Sequence, residues 1–423
     1  MRDTHDLGGL TWAKAERLFR AADAHKPEGQ RFESWKPSQV AAHEQWDGLH
    51  PGKASTEPLR IQLLLFPTGE GKSKTSLAQI ASRGHDEIYV VAPPKTHPAW
   101  QKDANILGVH VELMSHKAFR ERKNFSRKPF IIDEVHMLGA RTGDGFKRLR
   151  RMVDKMPALI LCSATPNYNK PERAYCLDVI GEKNPISSYE RWMNTYCTTE
   201  PNRFAYYPTV TGFKEYDSAI DFLVARPWVA YVEDTATWTA AELKLPRPNL
   251  VNFEKLNFSK RHHRLMNSDM EKRHKRVDLE LIDDDGLIRK EVMDAVQDEL
   301  NKYPDRDKWL IFCMHKTVAQ ALSLTLAVRR KEMHVLSWLI DGDTKTADVD
   351  NLLQGFLAAE SGWLIGTTAL ATGVDGIDKV CTSMLILDDI DGDHAKRRQL
   401  IGRILPRGTA DKRERLVITA SVE

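Results

Sequence analysis

The chain has 423 residues, of which 41% are hydrophobic, and sets 62 Lys and Arg against 59 Asp and Glu. That length suits two or three domains with substantial cores, and the apolar fraction excludes a disordered chain. No apolar run approaches the roughly 20 residues needed to cross a bilayer, and a net charge of +3 leaves nucleic-acid affinity to local patches rather than a global field.

The cysteines, Cys162, Cys176, Cys197, Cys313 and Cys381, show no paired spacing. Free thiols in a reducing compartment are expected, and zinc has little support. Met1-Arg-Asp-Thr-His5 is followed by no apolar signal core, so the expectation is a cytoplasmic protein.

Residues 1–30 are polar, with one helical stretch at 11–24, and form an N-terminal extension to which no function is assigned. Short apolar runs then fall at 61–66, 88–92, 109–113, 130–132 and 158–162, mostly separated by charged, helix-compatible stretches. A second series follows at 309–313, 334–339, 363–366, 384–387 and 416–420. Two doubly wound parallel sheets are predicted, one over 31–240 and one over 241–423.

The first run leads into Phe66-Pro-Thr-Gly-Glu-Gly-Lys-Ser73 and then a helix-compatible segment. This is the strand–loop–helix setting of a phosphate-binding loop, although Phe66 stands where the general pattern has Gly. Thr68, Gly69, Glu70 and Gly71 would turn backbone amides toward phosphate oxygens, and the helix N-terminus favours negative charge. Lys72 can reach terminal phosphates, and the Ser73 hydroxyl can ligate Mg²⁺. A Gly-rich turn without chemistry is the bland alternative for this loop taken alone.

Phe130-Ile-Ile-Asp-Glu-Val-His136 is an apolar strand ending in two carboxylates. Asp133 suits a metal ion and Glu134 suits orienting and deprotonating a water; an acidic pair capping the next helix is the competing reading. Ser163-Ala-Thr165 follows another apolar run, Gly373-Val-Asp375 a later one, and Gln399-Leu-Ile-Gly-Arg403 precedes Arg407. Any one of these is compatible with a turn or a solvated charge. Five in this order are not accidental.

In this order the motifs resemble those of superfamily 2 helicases and translocases, whose two RecA-like lobes bind ATP in the cleft between them. The loop at 66–73 resembles motif I, Asp133-Glu-Val-His136 motif II, Ser163-Ala-Thr165 motif III, 367–375 motif V and 399–403 motif VI. The resemblance implies ATP and Mg²⁺ as cofactors. It gives catalytic roles to Lys72, Glu134, Arg403 and Arg407, metal ligation to Ser73 and Asp133, and nucleotide contacts to Gln39, at the adenine edge, and Asp375. It implies coupling roles for His136, Ser163, Thr165 and Gln399. Nucleic-acid contacts would come from Lys95, Ser115, His116, Lys117, His315, Lys316, Thr367 and Thr368. In motif VI, Arg403 matches the first arginine of the family; Arg407 is one residue late for the second, where Pro406 stands.

Finer features, Ser187-Ser-Tyr-Glu-Arg-Trp192, Leu245-Pro246 and Ile340-Asp-Gly-Asp343, are similar to the Swi/Snf-like branch, in a compact form common in phage genomes. A phage-encoded chain would act in the host cytoplasm. The activity implied is an ATP-driven DNA helicase or translocase acting as a monomer on duplex or branched DNA, with replication or recombination proteins as candidate partners. An RNA helicase, or an ATP-gated clamp without strand separation, is the alternative. The run 117–128 mixes Lys117, Arg120, Arg122, Lys123, Arg127 and Lys128 with Phe119 and Phe125. It reads equally as a backbone track with stacking aromatics and as a solvated face with two anchoring rings.

Overall fold

Leu63 and Leu65 of the first strand enter one apolar cluster, and Leu64 and Phe66 enter another. Successive side chains point to opposite faces of a strand, so both faces of this sheet are covered, as a parallel sheet requires. The computed structural model describes residues 10–26, 31–48, 60–67, 69–164, 171–181, 188–202, 206–233, 237–246, 281–367, 370, 376–388, 397, 400–405 and 413–422. Two units result, Met1–Thr235 and Ala236–Glu423.

The first unit runs α1 (Trp12–Ala22), α2 (Pro37–Gly48), β1 (Arg60–Leu65), α3 (Lys72–Ala81), β2 (Glu87–Val91), α4 (His97–Leu107), β3 (His110–Met114), α5 (His116–Glu121) and β4 (Phe130–Ile132). It continues through α6 (Asp144–Met152), β5 (Ala158–Ser163), α7 (Pro171–Gly181), α8 (Tyr189–Tyr196), β6 (Cys197–Glu200), β7 (Thr209–Phe213), α9 (Ala219–Val224) and β8 (Val229–Tyr231). The sheet order is β3-β2-β4-β5-β1-β8, all parallel, while β6 and β7 form a separate antiparallel pair.

The second unit opens with β9 (Thr239–Leu245), then β10 (Lys308–Cys313), β11 (Ser337–Ile340), β12 (Gly362–Gly366), β13 (Ser383–Asp388) and β14 (Leu416–Val422). Their order is β11-β12-β10-β13-β14-β9, again all parallel. Trp309 and Ile311 face one cluster and Leu310 and Phe312 the other, so this sheet too is buried on both faces. The predicted class, α/β with two doubly wound parallel sheets, is what the chain adopts. The two strand orders differ, so the second sheet does not repeat the topology of the first.

The boundary expected near 241 falls in β9, which pairs along its whole length with β14 of the second unit. Two expectations are corrected. The run at 334–339 yields a strand only from Ser337, because a short helix, Arg330–Met333, ends on His334 in the left-handed region. The N-terminal stretch is no detached extension: Ala15 and Phe19 of α1 are fully buried, Trp12 stacks on Trp35 at 4.0 Å, and Lys74 of α3 lies 4.2 Å over the Phe19 ring. Ser187, the first residue of the Ser187–Trp192 feature, lies outside the described residues.

Candidate active site

The loop after β1 turns on Gly69 (φ 85°) and Gly71 (φ 82°). Both are in the left-handed region that glycine enters without a Cβ penalty. At Gly71 there is a second constraint, since a Cβ there would lie 2.5 Å from Gln39 Nε2. Gln39 is buried; its Nε2 donates to Thr75 Oγ1 at 2.8 Å, and its Oε1 accepts from the Lys36 amide at 2.9 Å. The glutamine therefore buttresses the loop and the first turn of α3. Lys36 also pairs with Glu70, whose other carboxylate oxygen accepts from Ser38 at 2.8 Å.

Lys72 opens α3 and donates to the carbonyls of Phe66 and Pro67, at 2.9 and 3.1 Å. Its ammonium is held over the loop, where it can exchange carbonyl oxygens for phosphate oxygens. The Ser73 hydroxyl donates to Asp103 on α4 at 3.3 Å, and Lys74 pairs with the same carboxylate at 2.5 Å. Asp103 was not singled out in the sequence, where a lone carboxylate in an amphipathic helix carries no signal.

Asp133 follows β4 and accepts from the Glu134 amide at 3.0 Å and from the Trp100 indole. Burial, and then the charge of Glu134, push its pKa up to about 6, while the charge of Lys72 and these hydrogen bonds pull the other way. Asp133 and Lys72 thus share one electrostatic environment although 61 positions apart in sequence (133 − 72). His116 supports the same turn from below: it is buried, its Nε2 donates to the Asp133 carbonyl at 2.9 Å, and burial pushes its pKa down to about 4. A neutral buried ring suits a positioning role better than a phosphate contact.

Glu134 holds a left-handed backbone (φ 47°) without being glycine, and its side chain is buried. Strain of this kind gathers where a side chain must be aimed. Its Oε2 lies 3.4 Å from His136 Nδ1, which is also 3.3 Å from Ser163 Oγ at the end of β5. The predicted coupling residues His136 and Ser163 therefore touch each other, and His136 links Ser163 to Glu134. Phosphate loop, acidic pair and Ser163 all follow the carboxyl ends of parallel strands, where open α/β sheets bind ligands.

The predicted nucleic-acid residues divide. Lys95 lies in a short 3₁₀ turn and is half-buried. Ser115 caps α5 by accepting from the Ala118 amide at 3.0 Å, and Lys117 is exposed, 3.9 Å from Glu121. In the second unit His315 is buried: its Nδ1 lies 2.6 Å from Asp388, which also accepts from the His315 amide at 2.9 Å. That ring holds the turn after β10 together. Lys316 pairs with Asp343, and Thr367 is buried, its amide bonded to Ile340 at 3.3 Å.

Arg403 is buried, in a segment whose Leu400, Ile401, Ile404 and Leu405 enter the second-unit core. Arg415, which the sequence reading missed, is buried and donates through Nε to the Ile404 carbonyl at 2.5 Å, pinning the segment that carries Arg403. Thr68, Thr165, Thr368, Asp375, Gln399 and Arg407 lie outside the described residues. Among the described residues no helix is long and apolar enough to cross a membrane.

Residues 291–407 match the family described as helicase conserved C-terminal domain. No curated protein matches the chain. Among solved structures, the Sulfolobus solfataricus SWI2/SNF2 ATPase core in complex with dsDNA is similar at 12% identity and a TM-score of 0.39, over 92% of this chain and 88% of that one. A variant of S. cerevisiae Dbp5 bound to RNA and ADP BeF3 is similar at 13% identity and a TM-score of 0.47, over 92% and 88%.

Proposed function

We propose that the chain is a superfamily 2, RecA-like motor that couples Mg-ATP hydrolysis to movement on or remodelling of DNA, with duplex or branched DNA preferred. The observation that carries this reading is the joining of three segments at the strand ends of the first sheet. Lys72 shares its electrostatics with Asp133, and Glu134 meets His136, which in turn meets Ser163. The helicase C-terminal match over 291–407 supports the motor class.

Gly69 and Gly71 turn the loop so that backbone amides can face phosphate oxygens, and Lys72 holds the terminal phosphate. Ser73 and Asp133 supply a hydroxyl and a carboxylate, the oxygen donors that Mg²⁺ prefers, so the residues present fit that ion. When bound, Mg²⁺ neutralises phosphate charge. Glu134 orients a water and accepts its proton, with His136 steadying the carboxylate and linking it to Ser163. An arginine of 403–407 is proposed to meet the charge developing on the transferred phosphoryl group, Arg407 being favoured over the buried Arg403.

Hydrolysis measured side by side without nucleic acid and with single-stranded, duplex and forked DNA and RNA tests the reading. Stimulation by duplex or forked DNA is expected. Stimulation by RNA alone would replace the substrate class, and ATP binding without turnover would favour a clamp. Lys72→Ala should abolish turnover, and Glu134→Gln should keep ATP binding while blocking hydrolysis.

A further inference from the structure

The basic run at 117–128 splits in two once folded. One part is internal structure: Arg122 pairs with Glu112 and lies over the Tyr89 and Phe125 rings, at 5.1 and 4.9 Å, and Lys128 pairs with Glu87 at 3.1 Å. Phe119 is fully buried and Phe125 packs on Tyr89, Phe119 and Phe130, so neither ring is a free stacking platform.

Lys123 and Arg127 behave differently. With Arg148, Arg151 and Lys155 they line a cleft of about 620 Å³ in which, among the described residues, Asp154 is the only carboxylate. Arg127, Arg151 and Lys155 are exposed, and among the described residues no carboxylate pairs with any of the five cations. Arg148 is held in place, its guanidinium 5.2 Å from the Phe125 centroid and one nitrogen donating to the Lys123 carbonyl at 3.3 Å. Its buried Nε has no hydrogen-bond partner. Burial and the neighbouring Arg151 charge pull its pKa below the ordinary arginine value.

The cleft is also placed apart from the nucleotide site. Its five cations precede β4 and β5, whereas Asp133 follows β4 and Ser163 ends β5. At about 3.3 Å per residue, the length of β5 puts roughly 20 Å between the two ends of the sheet.

We infer that this cleft is a second nucleic-acid contact, binding a phosphodiester backbone at the amino-terminal edge of the first sheet; this rests on the nucleic-acid reading above. Planar guanidinium forks and point-charge ammoniums with one opposing carboxylate suit successive phosphates, each of which accepts from either type of donor. The aromatic cluster beneath Arg148 fixes one fork in advance, which lowers the ordering cost of binding.

The test uses the full chain and a fluorescein-labelled 20-base-pair DNA duplex, titrated from low to moderate salt. The variant Arg127→Gln/Arg151→Gln/Lys155→Gln changes exposed side chains and leaves Arg148 on its rings. Each phosphate contact contributes about 0.9 to the slope of log K against log salt on duplex DNA, so the variant should lose about two to three from that slope, with ATPase in the absence of DNA unchanged. A bromouracil-substituted duplex should crosslink to the peptides holding 123–127 and 148–156. Wild-type protein that binds no nucleic acid overturns the functional reading itself. Binding with an unchanged slope in the variant overturns the second contact alone. Polyglutamate displacing the duplex at equal charge concentration, in wild type but not in the variant, would make the cleft an acidic-peptide site instead.

Discussion

Glu134 and Gly71 occupy left-handed backbone for opposite reasons. Glycine does so without a Cβ, while Glu134 is held there by its surroundings (φ 82° and 47°). Gly71→Ala should cost about 1–2 kcal/mol from the backbone alone, and more from the approach of Gln39 Nε2 at 2.5 Å. Adding Gln39→Ala removes the collision, so the double variant should be more stable than the summed single losses predict. Urea unfolding of the four proteins measures that coupling, and strict additivity would show that Gln39 does not crowd the loop. Ser163→Ala leaves Glu134 and Lys72 in place but removes the hydroxyl 3.3 Å from His136. Basal ATP hydrolysis should persist, and its stimulation by nucleic acid should fall several-fold; equal stimulation in wild type and variant would remove Ser163 from the coupling route.

Among the elements, α1 shows how an unassigned segment becomes part of the site's foundation. Phe19 is fully buried and sits beneath Lys74, which in turn pairs with Asp103 beside Ser73. Phe19→Ala should destabilise the first unit by about 3–5 kcal/mol, readable as an earlier urea midpoint. A loss below about 1 kcal/mol would mean that α1 is merely laid on the surface. In the second unit the turn after β11 depends on Asp341. Burial pushes its pKa up, but hydrogen bonds from Gln320 and from Asp343 and Thr344 outweigh that and hold it below the usual carboxylate range. A depressed carboxylate stabilises the fold above its unfolded pKa of about 4 and loses that contribution as pH falls through the folded value. Asp341→Asn should therefore flatten the acid limb of stability against pH. An unchanged acid limb would show that the turn does not depend on that charge.

For the whole molecule, the near balance of charge means that recognition has to be local. The formal net charge is only +3, yet the cleft at 123–155 gathers five cations around one carboxylate. If Arg407 meets the transferred phosphoryl group, as proposed, Arg407→Ala should cost on the order of 10³-fold in turnover with ATP binding largely kept. Arg403→Ala, by contrast, removes a buried side chain from a segment that enters the second-unit core and should lower second-unit stability first. Turnover and thermal unfolding of the Arg403→Ala and Arg407→Ala proteins separate the two roles. Normal DNA-stimulated turnover in both would leave motif VI purely structural.

The sequence by itself determined most of the strands and the glycine turn after β1, because both are written locally. Apolar runs at 61–66, 130–132 and 158–162 suit buried parallel strands, and the glycines at 69 and 71 mark the turn that follows the first of them. Short edge elements escaped it: β8 has three residues, and β9 is a strand mainly because β14 lies beside it. Only the tertiary structure decided which polar groups serve the site and which serve the fold. His116 and His315 read as phosphate contacts in one dimension, but burial and hydrogen bonds to Asp133 and Asp388 turn both inward. Asp103 and Arg415 carried no signal at all, since their partners, Ser73 and Ile404, are set by packing between elements. The division of the basic run has the same origin: a cation's role depends on whether the fold brings it a carboxylate, and cross-strand and cross-helix neighbours are not encoded by adjacency in sequence.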